Sequence, residues 1–219
     1  MSATPADVID FLAGIEPGSP LSEIRDRRAQ ARENAQKSYL ALFEPEVPGD
    51  VTAVERYAVA AFVAGLHRQP AVSDYYAAHL QDGREAGIAQ VISSEISRAA
   101  TEGPYGCYPE GPLTVEDVEG PDYRVSSASE AVLGRRLSAA FEHADLLVFH
   151  PRDASPAALQ KLLDAGWSTT DIVTLSQLVS FLAFQIRVVA GLRALAATSS
   201  HRASALETVF TGVLASGHV

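Results

Sequence analysis

Apolar residues recur along most of this chain at three- and four-residue spacings, the periodicity of helices with one buried face. The cleanest run is Val54, Tyr57, Ala58, Ala61, Phe62, Gly65 and Leu66. The strict alternation that marks a half-buried strand is almost absent. Local punctuation places the elements. In "SPLSEIRD", Ser19 and Pro20 supply an N-cap and a first-turn proline to a helix expected to reach about Phe43. Thr52 and Glu55 have the spacing of a capping box at the start of the next. Pro70 disfavours helical geometry at Gln69 and ends it. Further helices are expected over about residues 73–80 and 85–100. The following stretch, "TEGPYGCYPEGPLTVEDVEGP", holds four prolines and four glycines and reads as a connector. Helices resume over about 129–149. The segment "SPAALQKLLDAG" adds another, with Ser155 as cap, Pro156 at the first position and Gly166 as the stop. "STTD" caps a long one expected over 171–197. Ser204 and Glu207 repeat the capping-box spacing. Behind them Leu206, Val209, Phe210, Val213 and Leu214 form one apolar stripe.

The expected fold is all-α and a single domain over 1–219. It has a first helical half over 5–100, a linker over 101–128, a second half over 129–198 and an amphipathic helix over 204–216. So short a final helix must dock on something, its own core or a second copy of the chain. A homo-oligomer, at least a dimer, is the sharper expectation.

Composition narrows the partners. A hydrophobic fraction of 47% with 20% charged residues is globular rather than disordered. The formal net charge of −10 argues against nucleic acid or an anionic membrane as partner, since phosphate binding needs a concentrated basic patch. The densest basic run, "RDRRAQAR" from Arg25 to Arg32, is expected to be a solvated face. The opening "MSATPADVIDFLAGI" lacks the pattern of a secretory signal. The most apolar stretch, residues 178–195, carries Gln185, Arg187 and Arg193, which suits a buried helix better than a membrane span. One cysteine allows no internal disulfide, and a reducing cytoplasm is the expected compartment.

The segment "ASPAALQKLLDAGWSTTDIVTLSQLVSFLAFQIRVVAGLRAL" resembles the closing part of the carboxymuconolactone decarboxylase and AhpD-like alkylhydroperoxidase superfamily. There a helix ending in Ala-Gly precedes a capped apolar helix with a late arginine, here Arg187. "VERYAVAAFVAGLH" and the break after it are similar to that superfamily's core hairpin, and "DVIDFLAGIEPGSPL" resembles a subgroup known only by the domain name. The likeness covers roughly residues 5–198. It implies an AhpD-like helical fold and oligomeric assembly. The superfamily's peroxidase members carry a glutamate, eleven residues, Cys-x-x-Cys, three residues and a histidine. Laid on this chain from Glu55, the cysteines fall on His67 and Pro70 and the histidine on Asp74. Cys107 is the only cysteine, so dithiol peroxidase chemistry at this position is excluded by composition.

What remains in "GLHRQPAVSDYYAAHL" and the helix before it is a set of acid–base groups. Glu55 reads either as a capping-box residue or as the relay glutamate that the resemblance implies. His67 reads as a helix C-cap or a relay partner, and Asp74 as a helix-start charge or a third member. Tyr75 and His79 share a helix face, and Tyr75 with Tyr76 could bind substrate. Metal binding by His67, Asp74 and His79 matches no strong spacing, and neither a metal nor another cofactor is expected. Cys107 has no basic sequence neighbour and reads as a loop thiol. Trp167 reads as a staple at a helix start.

Three functions therefore stand as expectations. The first is acid–base chemistry of a decarboxylase or lyase kind on a small organic acid or lactone, using Glu55 with His67 and Asp74. The second is a non-catalytic oligomeric protein that binds a small molecule. The third is a peroxidase-related antioxidant protein working by a non-standard mechanism.

Overall fold

A computed structural model describes the backbone of residues 4–80 and 84–215, and the side chains of 4–80 and 87–198. Among the described residues the fold is all-α, with no β-strand. Its helices are α1 (Val8–Ala13), α2 (Pro20–Asp26), α3 (Ala29–Phe43), α4 (Ala53–Leu66), α5 (Pro70–Ala77), α6 (Arg84–Ala99), α7 (Ser127–Phe149), α8 (Pro156–Asp164) and α9 (Thr169–Ala215). Contacts divide the described residues into two compact units, one over 37–186 and the other over 4–36 with 187–215. The division falls inside α3 and α9 rather than in the linker.

In the larger unit α4 is the central element and packs on α5, α6 and α7. Its run of small residues makes this possible: Ala58, Ala60, Ala61 and Ala64 are fully buried. At Gly65 a Cβ would lie 2.2 Å from Ile96 Cδ1, so α6 approaches as closely as hydrogen permits. Phe62 of α4 stacks on Phe141 of α7 with ring centroids 4.3 Å apart. The capping box is formed at both ends: Thr52 Oγ1 accepts from the Glu55 N–H, and Glu55 Oε2 accepts from the Thr52 N–H at 2.8 Å. Arg56, also buried, donates to the carbonyls of Leu42, Pro48 and Val51 and ties the loop before α4 to the helix. In the linker, Gly106 and Val118 pair as an isolated antiparallel bridge. Buried Glu95 accepts from Tyr123 at 2.7 Å and from Ser126 at 3.1 Å just before α7.

Several boundaries differ from the sequence expectation. The helix expected from Pro20 to Phe43 is broken by a turn at Arg27 and Arg28. α5 begins at Pro70 rather than near residue 73, because a proline loses nothing at the first helical position. The backbone stays helical through 198–203, where a break was expected. No glycine or proline stands there to stop it, and Thr198 Oγ1 donates to the Ala194 carbonyl one turn back instead of leaving the helix. The stripe Leu206 to Leu214 lies outside the residues whose side chains are described. Residues Thr169–Thr198 of α9 are long and apolar enough to cross a bilayer, and half of their most apolar window is buried within the protein.

In the smaller unit the basic run is not a uniformly solvated face. Arg25 is buried, with Nη2 2.6 Å from Asp7 Oδ2 and Nε 2.6 Å from Asp10 Oδ1. Arg32 joins the same two aspartates and Asp26. Of the run's four arginines, all expected on a solvated face, only Arg27 and Arg28 are exposed. Arg193 of α9 donates to the Leu12 carbonyl at 2.6 Å, satisfying an end of α1.

Candidate functional site

The acid–base set does not form one constellation. Glu55 sits in the first turn of α4 and His67 is its C-cap, so the helix itself separates them by roughly 18 Å of rise. Glu55 is also occupied. Its Oε1 accepts from Arg136 Nε at 2.6 Å, while Oε2 holds the capping box. Asp74 is exposed on α5. Among the described residues no group of three His, Cys, Asp or Glu side chains is placed to hold a metal ion. Cys107 is exposed in the linker, where its backbone N–H donates to Asp153 Oδ1 at 3.1 Å.

His79, Tyr75 and Tyr76 do come together, in an aromatic cluster with Tyr39, Phe43 and Tyr57. His79 stacks face to face on Tyr57 at 4.3 Å, and Tyr39 and Tyr75 share a hydroxyl–hydroxyl bond of 2.9 Å. The Tyr76 hydroxyl donates to Gln185 Oε1. Burial pushes the Tyr75 and Tyr76 hydroxyls above the usual phenol range, so both stay protonated at neutral pH. His79 Nδ1 lies 3.0 Å from the Tyr75 carbonyl. A carbonyl can only accept, so Nδ1 carries a proton and donates it there.

Glu55 owes its partner to a residue that the sequence reading passed over. Arg136 of α7 reaches Glu55 and, at 3.2 Å, Asp171 Oδ2. It also donates to the carbonyls of Gly166 and Asp50. Its guanidinium lies 4.2 Å over the Trp167 ring, whose Nε1–H donates back to the Arg136 carbonyl at 2.9 Å. Asp171 forms its own reciprocal cap with Ser168. One arginine thus joins the capping carboxylates of α4 and α9, and Trp167 is fixed by a cation rather than only stapled to a helix start.

The preceding residue does the opposite. α7 is kinked at Gly134, which has φ 76 and ψ 162, and the helix restarts at Arg135. Beside the restart lies a cleft of roughly 270 Å³ between α7, α8 and the chain at Arg124 and Val125. Arg135, Lys161 and Arg124 supply its positive charge, and Glu130 and Glu142 its negative charge. Glu142 is already engaged, by Arg124 at 2.9 Å and by the Val125 N–H at 3.2 Å. Arg135 and Lys161 are exposed and have no carboxylate partner among the described residues. Ser138, only 5% exposed, also lines the cleft, and its hydroxyl has no hydrogen-bond partner among the described residues. A helical serine ordinarily donates to the carbonyl four residues back. Here that residue is Gly134, and the kink removes its carbonyl from the helical position.

An inner pocket of roughly 40 Å³ shares Arg124, Ala139, Glu142 and Lys161 with the cleft and adds His143, Leu146, Ala158 and Leu162. His143 is 7% exposed and makes no hydrogen bond among the described residues. Burial lowers its pKa, which leaves a neutral imidazole with one donor and one acceptor nitrogen.

No family model matches the chain, and no curated protein and no solved structure matches it either.

Proposed function

We propose that this protein binds a small organic anion, without turning it over, in the cleft between α7 and α8. The observation that carries this is the pairing of Arg135 and Lys161, two cations with no carboxylate partner among the described residues, with the buried Ser138 hydroxyl, likewise unpartnered among them, at a restarted helix. A helix start presents N–H donors and a positive dipole end, both of which favour a carboxylate. In a chain of net charge −10 a locally cationic cleft is the place where an anion gains most. Glu55, held by Arg136 and the capping box, is part of the scaffold in this reading. The likeness to the carboxymuconolactone decarboxylase superfamily agrees with a ligand of this size and with a scaffold that has lost thiol chemistry.

Calorimetric titration with acetate, butyrate and phosphate tests the proposal. Millimolar or tighter binding of the two carboxylates, lost in the Arg135→Gln/Lys161→Met double variant with unchanged thermal stability, is the expected result. No carboxylate binding at any accessible concentration, or binding that the double variant retains, overturns it.

A second reading keeps acid–base chemistry, at His79 rather than Glu55. Its ground is the Nδ1–H bond to the Tyr75 carbonyl, which leaves Nε2 as the ring nitrogen open to a substrate, between the rings of Tyr57 and Tyr75. Turnover of a small lactone acid that is lost in His79→Gln supports it; its absence in the wild type rules the reading out.

A further inference from the structure

The cleft's inner pocket narrows the ligand class, an inference that rests on anion binding at the outer cleft. A simple inorganic anion would be satisfied by Arg135, Lys161 and the restarted helix alone. The inner pocket adds something different: three aliphatic walls, Leu146, Ala158 and Leu162, and one polar group, His143. His143 is more than nine-tenths buried, lines this pocket and makes no hydrogen bond among the described residues. A ligand hydroxyl that pairs this imidazole gains a hydrogen bond in a pocket too small to hold much competing water. A volume of roughly 40 Å³ holds only two or three heavy atoms beyond the carboxylate. A second carboxylate there would face Glu142, which already holds Arg124, and would have to share Lys161 with the outer one.

We infer that the ligand is a short hydroxy monocarboxylic acid, its carboxylate between Arg135 and Lys161 and its hydroxyl against His143 in the inner pocket. The neutral ring accepts from such a hydroxyl or donates to it, depending on tautomer, and requires no proton exchange with solvent. The carboxylate end supplies most of the affinity and the hydroxyl end the selectivity, because a site built to pair a hydroxyl discriminates against the analogue that lacks it.

Titration of the full chain with 3-hydroxybutyrate, butyrate, acetate and phosphate tests this. 3-Hydroxybutyrate is expected to bind about tenfold more tightly than butyrate, the ratio that one recovered hydrogen bond gives. His143→Leu should abolish that ratio while leaving butyrate bound. Ala158→Leu, which fills the inner pocket without touching the cations, should weaken both four-carbon acids and spare acetate, and serves if His143→Leu does not fold. Equal affinity of the wild type for 3-hydroxybutyrate and butyrate overturns this inference and leaves the outer anion site standing. Binding of phosphate but none of the carboxylates overturns it as well, in favour of an inorganic anion site. Failure of all four probes to bind removes the anion site itself.

Discussion

Arg135 and Arg136 are consecutive residues with opposite fates. Arg136 makes four hydrogen bonds within the protein, to two carboxylates and two carbonyls, and lays its plane on Trp167. Arg135 spends none on a carboxylate among the described residues and lines an open cleft. The kink at Gly134 stands just before both, and it also strips Ser138 of its usual acceptor. The contrast teaches that charge alone does not identify a site. The acid with most chemistry in its sequence context, Glu55, is already neutralised by an arginine, and the cations with least context are the ones left over.

Removing Arg136 is the largest way to break this comparison. Arg136→Met leaves the carboxylates of Glu55 and Asp171 without their hydrogen-bonded cation, with only the more distant charge of Arg56 to offset them. It should cost on the order of 3 kcal/mol, read as a fall in Tm of roughly 10 °C, because an uncompensated buried charge is expensive. A loss of less than a few degrees in calorimetry would show that the clamp is dispensable. The matching Arg135→Met should stay within about 0.5 kcal/mol of the wild type.

Asp145 gives the next effect, and it depends on pH. Burial pushes its pKa up to about 7, and its Oδ1 has no hydrogen-bond partner among the described residues. With the folded pKa above the unfolded one, the unfolded state sheds its proton first. Stability from this group is therefore undiminished below about pH 4, falls between about pH 4 and 7, and stays at its lowest above. Asp145→Asn should raise Tm by roughly 5 °C at pH 8 and change it little at pH 4. Equal shifts at both pH values would contradict a titrating Asp145.

Gly65→Ala should be smaller. The new methyl meets Ile96 at the α4–α6 crossing, and overpacking of this kind costs about 1–3 kcal/mol unless the isoleucine can turn away. Denaturant unfolding of Gly65→Ala beside Gly65→Ala/Ile96→Val separates the two, since the shorter side chain should recover part of the loss.

Much of the scaffold was legible because helix punctuation is local. Thr52 with Glu55, Ser155 with Pro156, Ser168 with Asp171 and the stop at Gly166 all declare themselves within four residues, and all are formed. α1 was passed over because it is only six residues long and too short to show a period. The turn at Arg27–Arg28 and the burial of Arg25 were not legible because the partners, Asp7 and Asp10, lie a helix away. The candidate site was the least legible part. Residues 65–80 concentrate polar groups in sequence, but their partners are set by packing, which pairs His79 with Tyr57 and sends Glu55 to Arg136, 81 positions away. The one local signal for the cleft was a glycine inside a helical run followed by two arginines, a pattern whose meaning depends on what stands opposite.

The central claim, that the anion site lies at Arg135 and not at Glu55, is tested most directly by backbone amide NMR during a titration with butyrate. The account predicts saturable shifts at Arg135, Ser138, Ala139 and Lys161, with the amides of Glu55, His67 and Asp74 unmoved. Shifts centred on Glu55 to His79, with the α7–α8 cleft silent, would contradict it.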